Sequence, residues 1–202
     1  MRARGLLGIA VVAVIAVAVI HAGHPASTVS TGSLSTLRVA AEGPMTGYSR
    51  ADFGDGWETK ADGCSTRVDI LIAQGQHVAH HGCTVTGGRW LSLYDGVTVT
   101  NPHTLDIDHV VPLAEAWRTG AAHWTAAQRE AFANDPAELA AVTAHSNRSK
   151  GDDAPPAYEP VAAEKCAYAT QWITVKIRYK LTISQGELHA LAAMADTCPK
   201  GK

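Results

Sequence analysis

One pentad restricts this chain more than any other feature: Leu105-Asp106-Ile107-Asp108-His109, followed at once by Val110-Val111-Pro112. Strict alternation is the period of a β-strand, so both carboxylates turn to one face while His109 turns to the other. Taken alone, such a segment reads as a solvated strand end stopped by proline. The weight shifts because a second polar group, Ser146-Asn147-Arg148-Ser149-Lys150-Gly151, follows the short apolar run Leu139 to Thr143. That run is itself a strand candidate, so two strands and a polar turn or helix come as one unit.

On either side the chain changes texture. Between Tyr48 and Thr100, short apolar runs (Val68 to Ile72, Cys83 to Val85, Trp90 to Tyr94, Val97 to Val99) are broken by Gly87-Gly88 and Asp95-Gly96, which predicts short strands and hairpins. After Pro112 helical spacing takes over. Thr125 with Gln128 forms a capping box for a helix that should stop near Asn134-Asp135-Pro136, since proline disfavours a helical residue before it. Ala162 to Tyr179 repeats apolar positions at three and four, and Ser184 with Glu187 caps a last helix running to Cys198. The class is α+β, with short strands first and helices last.

The 202-residue length suits one domain. Met1 to Ile20 carries Arg2 and Arg4, then an apolar run from Leu6, then small residues, which is the layout of an export signal. Residues 1–26 are therefore expected to be a signal peptide, with an uncleaved anchor as the other reading. Residues 27–45, rich in Ser, Thr, Gly and Ala, are expected to be a flexible lead-in, and 46–202 the single folded domain. Export predicts an extracellular protein, or one on the outer face of the membrane if the segment is retained. Cys64, Cys83, Cys166 and Cys198 contain no CxxC pair and read as disulfides; of three possible connectivities, Cys64–Cys83 with Cys166–Cys198 closes the shortest loops.

Without its first twenty residues the chain loses two arginines and no acids, which moves the formal net charge from −2 to about −4. A chain this acidic does not bind nucleic acid through a broad positive field, so any such role needs a local cation or a metal. The clustered His77, His80 and His81 fall in a Gly- and Gln-rich stretch and read as an exposed loop, while His103, His123, His145 and His189 read as surface or cap residues. Trp57, Trp90, Trp117, Trp124 and Trp172 occupy apolar positions that suit a core better than base stacking. HExxH, GxSxG and Walker patterns are missing, which removes three common hydrolase classes.

Asp108-His109 supplies what phosphodiester hydrolysis needs: a hard oxygen ligand for Mg²⁺ or Mn²⁺, and an imidazole able to take a proton from water near pH 7. Asn147 offers a neutral amide oxygen as a further ligand. These stretches, with Gly63 to Leu71, Phe132 to Pro136, Cys166-Ala167-Tyr168 and Trp172, resemble the HNH endonucleases of the ββα-metal superfamily. The similarity runs from about Tyr48 to Cys198 and is strongest to the secreted bacterial branch.

The resemblance implies a ββα-metal core in which His109 is the general base and Asp108 and Asn147 hold one divalent cation, with Asp106 as an outer group. It places Leu113 to Phe132 as a helical insertion between the two strands. Where many members carry a mid-motif asparagine that pins the loop of the catalytic histidine, this chain has Glu138, with Asn134 nearby as a possible helper. Lys150, Arg148 and Arg67 are the cations placed to meet phosphate; for Arg67 an ion pair with Asp69 or Asp62 is the equal alternative, and for the other two a solvated surface charge. The implied substrate is DNA, with RNA left open, cut with little sequence preference and with no stable protein partner. The alternative is a weak or inactive disulfide-stapled binding module on the same scaffold.

Overall fold

The structure, a computed structural model, describes residues 34–199. The expected signal segment lies outside them. Among the described residues no helix is long and apolar enough to cross a membrane.

The centre is an antiparallel pair, β4 (Leu105–His109) and β5 (Leu139–Thr143), in the register His109↔Leu139, Asp108↔Ala140, Ile107↔Ala141 and Asp106↔Val142. The pair has two different faces. Leu105, Ile107, Leu139 and Ala141 pack on a smaller core with Ile70, Leu71, Val85 and Trp90. Ala140 and Val142 belong to the larger core, which holds Tyr94, Val110, Phe132, Tyr168 and Trp172. Asp106 and Asp108 share the face of Val142 and Ala140, and His109 shares that of Ile107 and Leu139, as the alternation requires.

Covering the smaller core are α1 (Thr66–Gln74) and a three-stranded sheet, β1 (Gln76–His81), β2 (Thr84–Leu91) and β3 (Thr98–Val99), in that order. The strand expected over Val68 to Ile72 is thus the middle of a helix. Its Ile70 and Leu71 are buried beside Thr66, one turn earlier, and the Ser65 carbonyl accepts from the N–H groups of Val68 and Asp69, so the helical face wins over a short apolar run. The indole of Trp90 donates to the carbonyl of Leu71 (2.8 Å), closing the helix onto β2. Gly75 is required at the corner, because a Cβ there would stand 2.6 Å from the Trp90 indole nitrogen. The predicted strand over Trp90 to Tyr94 stops at Leu91. The His77, His80 and His81 stretch is strand β1 rather than loop, though it is exposed as expected.

Between β4 and β5 lie α2 (Leu113–Thr119) and α3 (Ala126–Ala133), parted by Gly120 at φ 154°. The expected helical insertion is there, as these two helices. Thr125 caps α3 with the predicted reciprocal Gln128 box. β5 leads straight into α4 (Ala144–Lys150), capped by the Thr143 hydroxyl. α5 (Lys165–Arg178) and α6 (Gln185–Ala195) complete the larger core, α6 with its predicted Ser184–Glu187 box. Both expected disulfides are formed, Cys64–Cys83 and Cys166–Cys198.

Lys176 is fully buried at the larger core, where its ammonium meets Glu115 Oε1 (2.6 Å), Glu187 Oε1 (3.2 Å) and the Thr182 carbonyl (3.0 Å). It ties α2, α5 and α6 together. Part of the segment expected as a lead-in packs on the fold: Leu37 is buried, the Ala40 N–H donates to the Ile183 carbonyl, and that of Gly43 donates to the Arg118 carbonyl. Leu37 has a core site to fill and the backbone beside it has a strand-like partner, which composition alone could not show.

Candidate active site

β4 delivers its two carboxylates to one side. Asp108 Oδ2 accepts from the Tyr94 hydroxyl (2.7 Å) and from the Lys150 ammonium (2.8 Å). Lys150 also donates to the carbonyl of His109 (3.0 Å) and is buried, 1% exposed. It is therefore not the solvated cation that a surface position would give. Asn147, one turn earlier on α4, donates its amide to Asp106 Oδ2 (2.9 Å). That bond turns the Asn147 amide oxygen away from Asp106, free for another partner.

A divalent cation fits this donor set in kind: two carboxylates and an amide, all hard oxygen donors, partly exposed on one face. Among the described residues no three His, Cys, Asp or Glu side chains converge as a ready-made cage. Water and substrate oxygens would complete the coordination, as is usual for Mg²⁺.

His109 stands on the opposite face, 5% exposed. Its Nε2 lies 3.0 Å from the carbonyl of Ala133, at the end of α3. A carbonyl only accepts, so Nε2 carries the proton and Nδ1 is left as the basic nitrogen. Burial is the main reason its pKa falls from 6.5 to about 4, partly offset by the Asp108 charge, so the ring is neutral at physiological pH. Trp57 stacks on the imidazole, centroids 5.5 Å apart and planes 23° apart. Beside them a cavity of about 400 Å³ is lined by Arg50, Gly54, Asp55, Trp57, His109 and Ala133, among others.

The loop after β4 is held by Glu138. Glu138 Oε1 accepts from the Val111 N–H (3.0 Å), and the Glu138 carbonyl accepts from Val110 (2.9 Å). Burial raises the Glu138 carboxyl well above its ordinary pKa, which favours its neutral form; its Oε2 has no hydrogen-bond partner. Asn134 does not share this task. Its Oδ1 accepts from the Glu58 N–H (2.9 Å) and so fixes the segment that carries Trp57.

Of the predicted site residues, the fold brings Asp106, Asp108, Asn147 and Lys150 together and sets His109 behind them. Arg148 is exposed on α4. The Arg67 guanidinium donates to the carbonyls of Pro102 (3.2 Å) and Leu105 (2.8 Å), fixing the start of β4. His145 is exposed. Sequence reasoning missed Tyr94 and the Ala133 carbonyl; its core reading of Trp57 holds in part, since Trp57 packs against the smaller core, but not its contact with His109. No local pattern marks any of these contacts.

Residues 75–194 match the family described as GmrSD restriction endonucleases, C-terminal domain. The matched region runs from β1 to α6 and contains Asp108, His109, Glu138, Asn147 and Lys150. An "Uncharacterized secreted protein" of Arthroderma benhamiae is 44% identical over 169 residues, covering 82% of each chain. This relative is fungal, so the similarity is not confined to bacteria.

Proposed function

The chain belongs to the family of GmrSD restriction endonuclease C-terminal domains, and from that membership we propose that it is an exported, metal-dependent endonuclease of the HNH type. The observation that carries the proposal is the β4–β5–α4 unit: it presents Asp108 and Asn147 on one face and ends in a buried, neutral His109 whose Nδ1 is the only basic ring nitrogen.

The Ala133 carbonyl fixes the tautomer and the Glu138–Val111 bond fixes the loop, which leaves Nδ1 as the nitrogen to take a proton from water. That water attacks phosphorus, one P–O ester bond breaks, and the leaving oxygen takes a proton from solvent. Asp108 and Asn147 would hold Mg²⁺ or Mn²⁺, which spreads the charge developing on the phosphate and on the leaving oxygen. Tyr94 and Lys150 keep the Asp108 carboxylate in place. Arg148 is the exposed cation of α4 available to phosphate. The substrate is nucleic acid, with DNA favoured. Export rests on Arg2, Arg4 and the apolar run after them, on two disulfides, and on the name of the fungal relative.

One observation favours the second reading, a binding module without turnover: the Lys150 ammonium sits on Asp108, where the cation would be held. Plasmid nicking separates the two. With Mg²⁺ or Mn²⁺ the protein should convert supercoiled to open-circular plasmid; EDTA and His109→Ala should each abolish this, with the circular dichroism of the variant unchanged. Full activity in His109→Ala would sink the nuclease mechanism, and no cleavage across divalent ions would leave the binding module.

A further inference from the structure

The cavity beside His109 is built by a segment that precedes the family-matched region. Residues Arg50–Phe53 form one 3-10 turn, capped reciprocally by Ser49 and Asp52. Phe53, 1% exposed, anchors the turn against Phe132. Further along, Asn134 holds the Glu58 N–H, and Arg129 Nε donates to the carbonyl of Asp52 (3.0 Å). The stretch between these anchors, Gly54-Asp55-Gly56-Trp57, is thus fixed at both ends and forms a wall of the cavity. Gly54 and Gly56 sit at φ 104° and 121°, which an L side chain adopts only under strain.

Three things on this wall point to one ligand. Trp57 offers an aromatic ring, half-buried, with one face already on His109. Arg50 is an exposed guanidinium in the lining, close enough for its charge to act on His109. The volume, about 400 Å³, falls in the range of sites for small organic groups and matches one nucleotide unit, not a double helix. A base inside a duplex shows only its edges, so an aromatic ring can stack only on an unpaired base. The chain's net charge of −2 also lacks the broad positive surface that a duplex binder needs.

We propose that this cavity is a subsite for one unpaired nucleotide, with its base against Trp57 and its phosphate at Arg50, so that the protein prefers single-stranded nucleic acid. The proposal rests on the nuclease reading and names the substrate form of the same site. Asp55, also in the lining, opposes a phosphate there. Removing its charge should strengthen binding.

The test is binding without turnover: fluorescence anisotropy of the full chain in EDTA, with a labelled single-stranded oligonucleotide and with the same sequence as a duplex. The single strand should bind at least about tenfold more tightly, and Trp57→Ala and Arg50→Gln should each weaken it about tenfold, the size of one lost stacking or phosphate contact. Trp57→Phe should keep most of the affinity and Asp55→Asn should raise it. Arg50 is exposed, so Arg50→Gln decides the matter even if Trp57→Ala fails to fold. Equal affinity for both forms, no measurable binding of either, or unchanged binding in Arg50→Gln would overturn the subsite. None of those results touches the nicking assay, in which His109→Ala alone judges the nuclease reading.

Discussion

Glu138 shows how burial changes what a carboxyl can offer as a hydrogen-bond partner. An asparagine in this place would offer an acceptor and a donor; a charged glutamate would offer only acceptors. Burial favours the neutral form of Glu138, and Oε1 takes the Val111 N–H. Glu138→Gln should therefore leave stability within about 1 kcal/mol of the wild type, while Glu138→Ala should cost about 2–4 kcal/mol by opening a cavity and stranding the Val111 N–H. Urea denaturation measures both. A Gln variant as damaged as the Ala variant would mean that the group is charged in the fold. The pattern around Glu138 was legible in the sequence, since its place before an apolar strand is local. Its raised pKa was not, because that depends on complete burial.

Among the elements, α5 and α6 carry much of the larger core, through Tyr168, Ala169, Trp172 and Ile173 on one and Leu191 and Met194 on the other. The Cys166–Cys198 bridge joins the start of α5 to the chain beyond α6, with a sequence separation of 32. Cross-linking a loop of that size restricts the unfolded chain by about 3–4 kcal/mol in the chain-entropy account. Replacing both cysteines by alanine should lower the denaturation midpoint by an amount near that figure. A loss below about 1 kcal/mol would show that Lys176 and the apolar contacts hold the two helices without it. Periodicity marked both helices in advance. Spacing put Lys176 on the buried stripe of α5, but it could not supply Glu115 and Glu187, which meet it there.

At the scale of the whole molecule, acid should unfold the protein in two stages. His109 has a folded pKa of about 4 against 6.5 when free, so its contribution is intact above pH 6.5 and is lost as pH falls from 6.5 through 4. The loss is on the order of 3 kcal/mol. Asp95 and Asp135 follow at lower pH. Burial raises both, but hydrogen bonds from Thr143, Ser92 and Val97 to Asp95, and from Ala137, Tyr179 and Arg178 to Asp135, hold each below 3.8. Their contribution persists down to about 3.8 and is lost as pH falls further. Melting temperature in EDTA, followed from pH 8 to 3, should decline in both windows, and His109→Gln should flatten only the upper one. An unchanged upper slope in that variant would place the titration elsewhere.

What the sequence determined by itself is whatever short-range pattern can carry. The alternation of Leu105 to His109 set which side chains share a face; the run Leu139 to Thr143 set the second strand; Thr125 and Ser184 set two helix starts; the cysteine spacing favoured the bridges that form. Tertiary structure decided what those side chains meet. Val68 to Ile72 became a helix because its buried positions lie a turn apart. Lys150 became a buried partner of Asp108 rather than a surface cation, and Trp57 came to lie on His109. Each of these contacts joins segments far apart in the chain, and packing in three dimensions selects among partners that local spacing leaves equivalent.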